Sequence, residues 1–299
     1  MSKAVFMTKI DPSYDDLPEV RYHFPKTYLR AVEQTLGDWL IYYEPRRSTA
    51  ALSSRGGRQS YFGTARLARI EPDRLLPDHF YAYVENFLPF DRPVPFKEGE
   101  QYYERQLRRE DGGTSKGAFG RAVRPISEAE YNIILRSGFV HVLQEEKPAQ
   151  PLAAFAFAEE PATFERPIVE RVVARPFRDA VFSSVVKTAY DNTCAMTGLK
   201  IINGGGRSEV QAAHIRPVNE SGTDSIRNGI ALCGTVHWMF DRGLLSLDDD
   251  YNILLAKNAV PETVQRLINP DRRLTLPSQP DYRPHPQWLR YHRETRFKG

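Results

Sequence analysis

The last third of the chain has apolar and polar positions in an order typical of two short strands and a helix. An extended apolar run, SEVQAAHI, is closed by Pro217 and followed by a stretch rich in turn-forming residues. A second apolar run, IALC, covers residues 230–233. Thr235 then stands at an N-cap position before the stretch 236–242, and Gly243 stands where a helix would end. The pattern predicts strand, loop, strand and helix.

The first half of the chain has the pattern of a mainly β structure. Residues 38–44 (DWLIYYE) and 59–70 (QSYFGTARLARI) have the aromatic and β-branched content and the partial alternation of strands. Residues 79–88 fit either a strand or a short helix. Ser127 predicts a helix start, because Glu130 completes a capping box with it. This order fits a small β-barrel with flanking helices.

Length and composition favour two domains of an α+β protein. At 299 residues with 41% hydrophobic residues, the chain is long for one domain and can bury two modest cores. Alanine, proline and glutamate dominate residues 149–176, a composition typical of a connecting segment. A helix is predicted directly after it, at 177–190. We therefore expect a β-rich domain at 1–148, a linker at 149–176, a second domain at 177–257 and a C-terminal extension at 258–299.

The sequence lacks the features of a membrane or secreted protein. No apolar run approaches the roughly 20 residues of a membrane helix. Lys9 and Asp11 interrupt the apolar positions near the start, so no signal peptide is expected. The two cysteines, Cys194 and Cys233, are too few for a disulfide framework, and we interpret both as small buried hydrophobes. A reducing, cytoplasmic location is therefore expected.

Positive charge is concentrated in a few clusters and is not spread over the whole chain. The net charge is only +3, from 41 basic and 38 acidic side chains, so bulk charge does not suit the chain to coat nucleic acid. Basic residues cluster instead around two glycine-containing loops and at the end of the chain: Arg46, Arg47, Arg55 and Arg58; Arg105, Arg108, Arg109, Lys116, Arg121 and Arg124; Arg290, Arg293, Arg296 and Lys298. Each cluster is either a set of phosphate contacts or an ordinary solvated surface.

Four polar side chains of the second domain fit a metal-dependent hydrolytic site: His214, Asn228, His237 and Asp241. His237 and Asp241 are four residues apart on the predicted helix, so both leave one face and can bind one ion. His214, near the end of the first predicted strand, would face that ion. A nitrogen and oxygen pair suits Mg²⁺, Mn²⁺, Ni²⁺ or Zn²⁺, and the ligands alone do not choose among them. Taken singly, each residue also has a purely structural interpretation.

Three strings in this region, AAHIRP, RNGIALC and HWMFDRGLL, resemble the HNH, or ββα-metal, nucleases. The resemblance implies that His214 is the general base that deprotonates the attacking water. It implies that Asn228 braces the loop and orients His214, and that His237 and Asp241 hold the metal ion, with His237 thereby part of the catalytic set. Hydrolysis would leave a 5′ phosphate and a 3′ hydroxyl.

The chain departs from the HNH pattern at two places. Many members have Asp or His directly before the general base as a further metal ligand, whereas this chain has Ala213. Phosphate oxygens and water, or the side chain of Gln211 or Glu209, are the candidates to replace it. Many members also carry a structural zinc held by two CxxC pairs, which two cysteines cannot supply alone.

The N-terminal strings WLIYYEPRR and YFGTARLARI resemble the PUA-like barrels, which include the SRA, EVE and YTH readers of modified bases. A flipped base needs a stacking surface and hydrogen bonds to its edge. Stacking candidates are Trp39, Tyr42, Tyr43, Tyr61 and Phe62, with core packing as the alternative for each, and Arg46, Arg47 and Arg58 are candidate DNA contacts.

Together the two resemblances imply a modification-dependent restriction enzyme. The N-terminal domain would read 5-methylcytosine or a related base in double-stranded DNA, and the HNH domain would cut nearby. One site cuts one strand, so a homodimer is expected, and the C-terminal extension would dock on the nuclease domain or on DNA. Two alternatives stay open: an HNH nuclease for unmodified DNA, of the homing, toxin or repair kind, and a non-catalytic DNA-binding protein with a decayed site.

Overall fold

The computed structural model of the protein describes residues 2–8, 16–45, 59–145 and 168–299. Two compact units divide the chain, Met1–Val181 and Phe182–Gly299. The candidate contacts Arg46, Arg47 and Arg58 lie outside the described residues, and so does the expected linker as far as residue 167. The rest of that linker interval contains one helix and the start of the next. No helix in the described part of the chain is long and apolar enough to cross a membrane.

The N-terminal unit combines strands with short helices. Its strands are β1 Lys3–Met7, β2 Arg21–Pro25, β3 Trp39–Glu44, β4 Ser60–Pro72, β5 His79–Pro95, β6 Lys97–Glu98, β7 Gln101–Tyr102 and β8 Val123–Ile126. Its helices are α1 Leu29–Glu33, α2 Lys116–Phe119, α3 Glu128–Gly138, α4 Val140–Glu145 and α5 Ile168–Val173. The stretch 79–88, for which the sequence left two possibilities, is part of strand β5. The capping box of Ser127 and Glu130 is present at the start of α3.

Six of these strands form one sheet in the order β2-β5-β4-β3-β1-β8. Strand β1 is parallel to β3, and the other pairs are antiparallel. The register of β4 on β5 shifts three times, and such bulges bend a strand pair and increase its twist. The sheet accordingly curls into a half-barrel, in which β2 and β8 are the edge strands. The mixture of helices and strands confirms the α+β class.

A buried ion pair lies within this unit. The Arg124 guanidinium donates to both carboxylate oxygens of Glu104, at 2.7 and 2.8 Å, and the Tyr61 hydroxyl donates to Glu104 at 2.7 Å. Both charged side chains are fully buried. Arg124, one of the basic residues considered above for phosphate contact, is therefore a core residue. Burial is tolerated because the two charges pair in a bidentate geometry.

Helix α6, Arg175–Ala189, contains the boundary between the two units. The C-terminal unit continues with strands β9 Gln211–His214, β10 Gly229–Leu232, β11 Leu245–Leu247 and β12 Ile253–Leu255. Its other helices are α7 Gly234–Asp241, α8 Glu262–Gln265 and α9 Pro286–Thr295. Antiparallel pairs join β9 to β10 and β11 to β12. The observed order β9, loop, β10, α7 is the predicted strand, loop, strand and helix.

One apolar core holds the C-terminal unit together. It combines the last turns of α6 with β9, β10, α7 and the final helix. Trp288 and Leu289 of α9 are buried in it, and the ring of His292 stacks on Phe240 of α7 at 3.8 Å. Both cysteines are free and buried, as the sequence predicts. The C-terminal helix is thus an integral part of the core that supports β9, β10 and α7.

Candidate functional site

His214 is the last residue of β9 and pairs with Gly229, the first residue of β10. Its ring lies flat on the ring of Phe182 from α6, with centroids 3.7 Å apart and planes 8° from parallel. A Cβ at Gly229 would meet Val186 at 2.5 Å and Phe182 at 3.0 Å, so glycine is what lets α6 approach this end of the hairpin. The close approach of α6 therefore sets the plane of the His214 ring.

The Nε2 atom of His214 lies 3.0 Å from Oδ1 of Asp224. Asp224 belongs to the loop between β9 and β10, and its side chain is only 1% exposed. In the sequence, Asp224 is one of several turn-forming residues of this stretch, since aspartate is common in such loops. The fold brings the carboxylate of Asp224 into contact with His214, ten residues earlier in the sequence.

Asn228 holds the same loop closed. Its side-chain oxygen accepts from the backbone N–H of Arg216 at 2.9 Å, and its amide nitrogen donates to the carbonyls of Arg216 and Thr223 at 2.9 and 2.8 Å. Asn228 is fully buried. These three bonds satisfy most of the capacity of a primary amide, which a substitution by aspartate or alanine would not do. Asn228 thus contacts backbone on both sides of the loop.

The loop turns tightly at Ser221 and Gly222. Ser221 adopts a left-handed conformation, with φ of 66°. A Cβ at Gly222 would lie 1.9 Å from the carbonyl oxygen of Arg216. Only glycine permits that approach of backbone to backbone. The guanidinium of Arg216 donates to the carbonyl of Glu220 at 2.6 Å and lies 4.4 Å from the ring of Tyr291, so α9 supports the loop from outside.

His237 and Asp241 leave the same face of α7, with Nε2 of His237 3.5 Å from Oδ2 of Asp241. The other ring nitrogen, Nδ1, lies 2.7 Å from the side-chain oxygen of Gln211 on β9. Because an amide oxygen only accepts, Nδ1 carries the proton and Nε2 keeps its lone pair toward Asp241. Gln211 therefore contacts His237 directly, through its side-chain oxygen.

The start of α7 differs from the sequence prediction. The helix begins at Gly234 with Cys233 at its N-cap, and Thr235 lies inside the first turn. The carboxylate of Glu209 accepts from the N–H of Gly234 at 2.8 Å and satisfies the exposed helix end from another part of the chain. The helix end agrees with the sequence, since Gly243 follows it with φ of 72°.

The donor set at α7 fits a divalent ion held by few protein groups. An imidazole nitrogen and a carboxylate oxygen face each other at 3.5 Å, an arrangement that a shared cation or a proton would stabilise. Among the described residues no group of three His, Cys, Asp or Glu side chains is placed to hold a metal. Mg²⁺ and Mn²⁺ are commonly held by one or two side chains together with water and phosphate oxygens. His237 and Asp241 are therefore a sufficient pair only when water or substrate completes the coordination.

Four of the five aromatic candidates of the N-terminal unit are core residues, and Phe62 is partly buried against the same core. Trp39, Tyr42, Tyr43 and Tyr61 are at most 7% exposed. The ring of Tyr42 stacks on Phe62 at 5.7 Å, and the hydroxyl of Tyr61 is engaged by Glu104. As placed, none of the four presents a free ring face to solvent. Aromatic residues on β3 and β4 are equally consistent with core packing and with pocket lining, so the sequence could not distinguish the two.

A small pocket opens elsewhere in this unit. Tyr22, His23 and Tyr28 line it together with Asp16, and Gly120 and Ala122 form part of its wall. The ring of His23 stacks on Tyr81 at 4.5 Å, and its Nε2 lies 3.0 Å from Asp73. Tyr22 and His23 are only 4% exposed, so the partly exposed ring and carboxylate of the pocket are those of Tyr28 and Asp16.

Residues 194–248 match the family model described as HNH endonuclease. No curated protein sequence matches the chain. The chain is similar to a solved structure described as a modification-dependent TagI restriction endonuclease, at 14% identity and a TM-score of 0.31, over 97% of this chain and 80% of that one.

Two further solved structures are similar to parts of the chain. Protein Atu2648 from Agrobacterium tumefaciens has 12% identity and a TM-score of 0.30, over 46% of this chain and 93% of that one. The type IV phosphorothioation-dependent restriction endonuclease ScoMcrA has 15% identity and a TM-score of 0.20, over 79% of this chain and 52% of that one. Similarities this weak carry no argument about function.

The C-terminal unit is therefore an endonuclease domain of the ββα-metal type, with a hairpin, a connecting loop and the helix that carries His237. The residues of this domain that match the HNH endonucleases include His214, Asn228, His237 and Asp241. The chain is an endodeoxyribonuclease, with DNA as the substrate of that domain.

Proposed function

We propose that the protein is a metal-dependent restriction endonuclease that cuts modified DNA. The observation that carries the nuclease part is the match of residues 194–248 to the HNH endonucleases, within which His214 stands at the end of the hairpin. The modified-base part rests on the resemblance of the N-terminal strings to base readers and on the pocket of that unit.

His214 is the general base of the proposed reaction. A neutral imidazole accepts the proton of the attacking water, which then forms the new bond to phosphorus while the bond to the 3′ oxygen breaks. The products carry a 5′ phosphate and a 3′ hydroxyl, and the leaving oxygen takes its proton from solvent. Asn228 contributes by bracing the loop through its bonds to Arg216 and Thr223.

His237 and Asp241 would hold the divalent ion, and Gln211 orients His237 through Nδ1. A bound ion supplies Lewis-acid stabilisation of the charge on the scissile phosphate and on the leaving oxygen. A side chain that fixes the far nitrogen of a metal-binding histidine selects its tautomer and its direction. Gln211 has this orienting role, in a chain in which the residue before the general base is Ala213 instead of a metal-binding side chain.

We propose that the modified base, 5-methylcytosine or a related base, is read at this pocket through Tyr28 and Asp16, which are partly exposed, rather than at the four buried rings. Base recognition requires a flat stacking surface and a polar group at the base edge, which Tyr28 and Asp16 would supply. HNH domains contact mostly backbone, so selectivity for a site has to come from another part of the chain.

The proposal is tested by cleavage of matched plasmids that are unmodified or carry 5-methylcytosine or 5-hydroxymethylcytosine. Each is incubated with Mg²⁺, Mn²⁺, Ni²⁺, Zn²⁺ or EDTA, beside the variant His214→Ala. We expect cutting of modified plasmid only, abolished by EDTA and reduced at least about 100-fold by the substitution, in line with the loss of a general base.

The matched control is His141→Ala, which removes an imidazole that is 58% exposed in the other unit. Its cleavage rate should equal that of the unchanged protein. Metal-dependent cutting of every plasmid would retain the nuclease and remove the reader. The absence of cutting under all conditions would instead favour a non-catalytic DNA-binding protein.

A further inference from the structure

We propose that Asp224 is a positioning residue that fixes the tautomer of His214 and makes Nδ1 the atom that accepts the proton from water. The inference rests on the proposed function, in which His214 is the general base. Beyond that function, Asp224 is assigned a role that the sequence did not indicate, and Nδ1 of His214 is assigned as the proton acceptor.

The contact itself determines the direction of the hydrogen bond. An ionised carboxylate has acceptor oxygens and no proton to donate. The 3.0 Å contact between Asp224 Oδ1 and His214 Nε2 therefore places the proton of the neutral ring on Nε2. The lone pair is left on Nδ1, at the opposite side of the ring. A histidine without this partner would exchange between two tautomers, only one of which has its lone pair at Nδ1.

Two independent contacts hold the ring. The stacked Phe182 fixes the plane, with the two rings 8° from parallel, and Asp224 fixes the rotation within that plane through Nε2. Neither contact uses Nδ1. Such an arrangement restrains the general base in one orientation before substrate binds, which lowers the entropy lost on reaching the transition state.

Burial of Asp224 adds an electrostatic effect. Its side chain is 1% exposed, and a buried carboxylate is stabilised most by a cationic partner. When Nδ1 takes the proton, His214 becomes an imidazolium whose Nε2–H still donates to Asp224. The carboxylate therefore favours the protonated product of the transfer, as it does in other histidine and aspartate pairs that act on a nucleophile.

The loop places Asp224 through residues next to it in the sequence. The carbonyl of Thr223 accepts from the amide of Asn228 at 2.8 Å, and the hydroxyl of Ser225 accepts from the N–H of Arg227 at 3.2 Å. Asp224 thus lies between two anchored neighbours. Asn228 acts on His214 through this loop, by holding the carboxylate against the ring.

The first test is spectroscopic and needs no cleavage. The full-length protein is labelled with ¹⁵N-histidine, and the ring nitrogens are recorded at alkaline pH, with His214 assigned from the spectrum of His214→Asn. We expect a single Nε2–H tautomer for His214. A proton on Nδ1, or an averaged mixture of both tautomers, would overturn the proposal even if the protein is an active nuclease.

The second test compares Asp224→Asn with Asp191→Asn, an equally conservative change of a carboxylate that is 85% exposed. Residue 191 has a left-handed φ of 49°, which asparagine tolerates well. We expect kcat of Asp224→Asn to fall by about 10- to 100-fold with little change in KM, while the control keeps its activity. Equal kcat for both variants would refute the role of Asp224.

The two proposals fail in different ways. A protein that cuts no plasmid contradicts the nuclease function, whereas the tautomer of His214 is read independently of cutting. If Asp224→Asn does not fold, as shown by loss of its cooperative thermal transition, the tautomer in the unchanged protein decides the question. Histidine spectra of the folded variant should show the Nδ1–H form of His214 appearing, because the acceptor at Nε2 has become a weaker one.

Discussion

Asp241 and His237 are restrained to different degrees, although both leave the same face of α7. His237 is 21% exposed and held by Gln211, whereas Asp241 is 56% exposed. We expect Asp241→Asn to raise the concentration of Mn²⁺ needed for half-maximal cleavage by at least about 10-fold, because one charged ligand is lost. The measurement is a metal titration of the cleavage rate.

The matched control for this change is again Asp191→Asn, which alters an exposed carboxylate in the same unit. It should leave the metal titration unchanged. If both variants needed the same amount of Mn²⁺ as the unchanged protein, Asp241 would not be a ligand.

The buried pair of Glu104 and Arg124 makes a second prediction at the scale of single residues. Glu104→Gln leaves the Arg124 guanidinium buried without a counter-charge. We expect the free energy of unfolding to fall by about 3–5 kcal/mol, as for other buried pairs that lose one partner. Urea denaturation measures it.

Glu85→Gln provides the comparison, since Glu85 pairs with Arg66 at a position where both side chains are about half exposed. It should cost less than about 1 kcal/mol, because solvent screens exposed pairs. Similar losses in the two variants would mean that the buried pair contributes no more than a surface pair.

At the scale of elements, the packing of α6 against β10 depends on Gly229. A methyl group there would overlap Val186 and the Phe182 ring on which His214 stacks. We expect Gly229→Ala to lower the free energy of unfolding by about 1–3 kcal/mol through overpacking and to lower the cleavage rate as well. Gly204→Ala is the control, because no atom lies within 4 Å of a Cβ built there. Equal stability of the two variants would contradict the close approach.

The attachment of α9 to the nuclease core should depend on pH through His292. Its Nδ1 accepts from Ser246 at 2.9 Å, its Nε2 donates to the carbonyl of Phe240 at 3.1 Å, and burial lowers its pKa from 6.5 to about 4. Since the folded pKa lies below the unfolded one, the neutral ring stabilises the fold above pH 6.5, and this contribution is lost as the pH falls from 6.5 toward 4. The expected loss is on the order of 3 kcal/mol.

Unfolding in urea across this pH range tests the prediction. His292→Phe keeps an aromatic ring beside Phe240 but has no titratable nitrogen, so its stability should fall less steeply with pH than that of the unchanged protein. Parallel curves for the two proteins would show that His292 does not titrate in this way.

At the scale of the whole molecule, each chain contributes one HNH site among its described residues, and one such site cuts one strand. We expect supercoiled plasmid to become nicked before it becomes linear, and the share of linear product to rise with enzyme concentration as two chains meet on DNA. Agarose gels over a concentration series measure it. A constant share of linear product at all concentrations would contradict pairing of chains during cleavage.

Local signals in the sequence predicted several of the elements correctly. The capping box at Ser127, the helix end at Gly243 and the aromatic and β-branched content of β3 and β4 each depend on residues a few positions apart. Thr235 shows the limit of such signals: the helix begins before it, at Gly234, and the N–H of Gly234 is bonded by the carboxylate of Glu209, which lies just before β9. Competition between local and distant partners is decided by the fold.

The sequence by itself determined the class of the catalytic unit, because its three strings preserve residue types and order along one short stretch of chain. Only the tertiary structure brought Asp224 to His214, Gln211 to His237 and the four N-terminal rings into a core. The physical reason is that ring contacts and side-chain hydrogen bonds depend on distance in space, whereas patterns and motifs record distance along the chain. Loop closure by Asn228 and the close approach of α6 at Gly229 bring residues that are separate along the chain into contact in space.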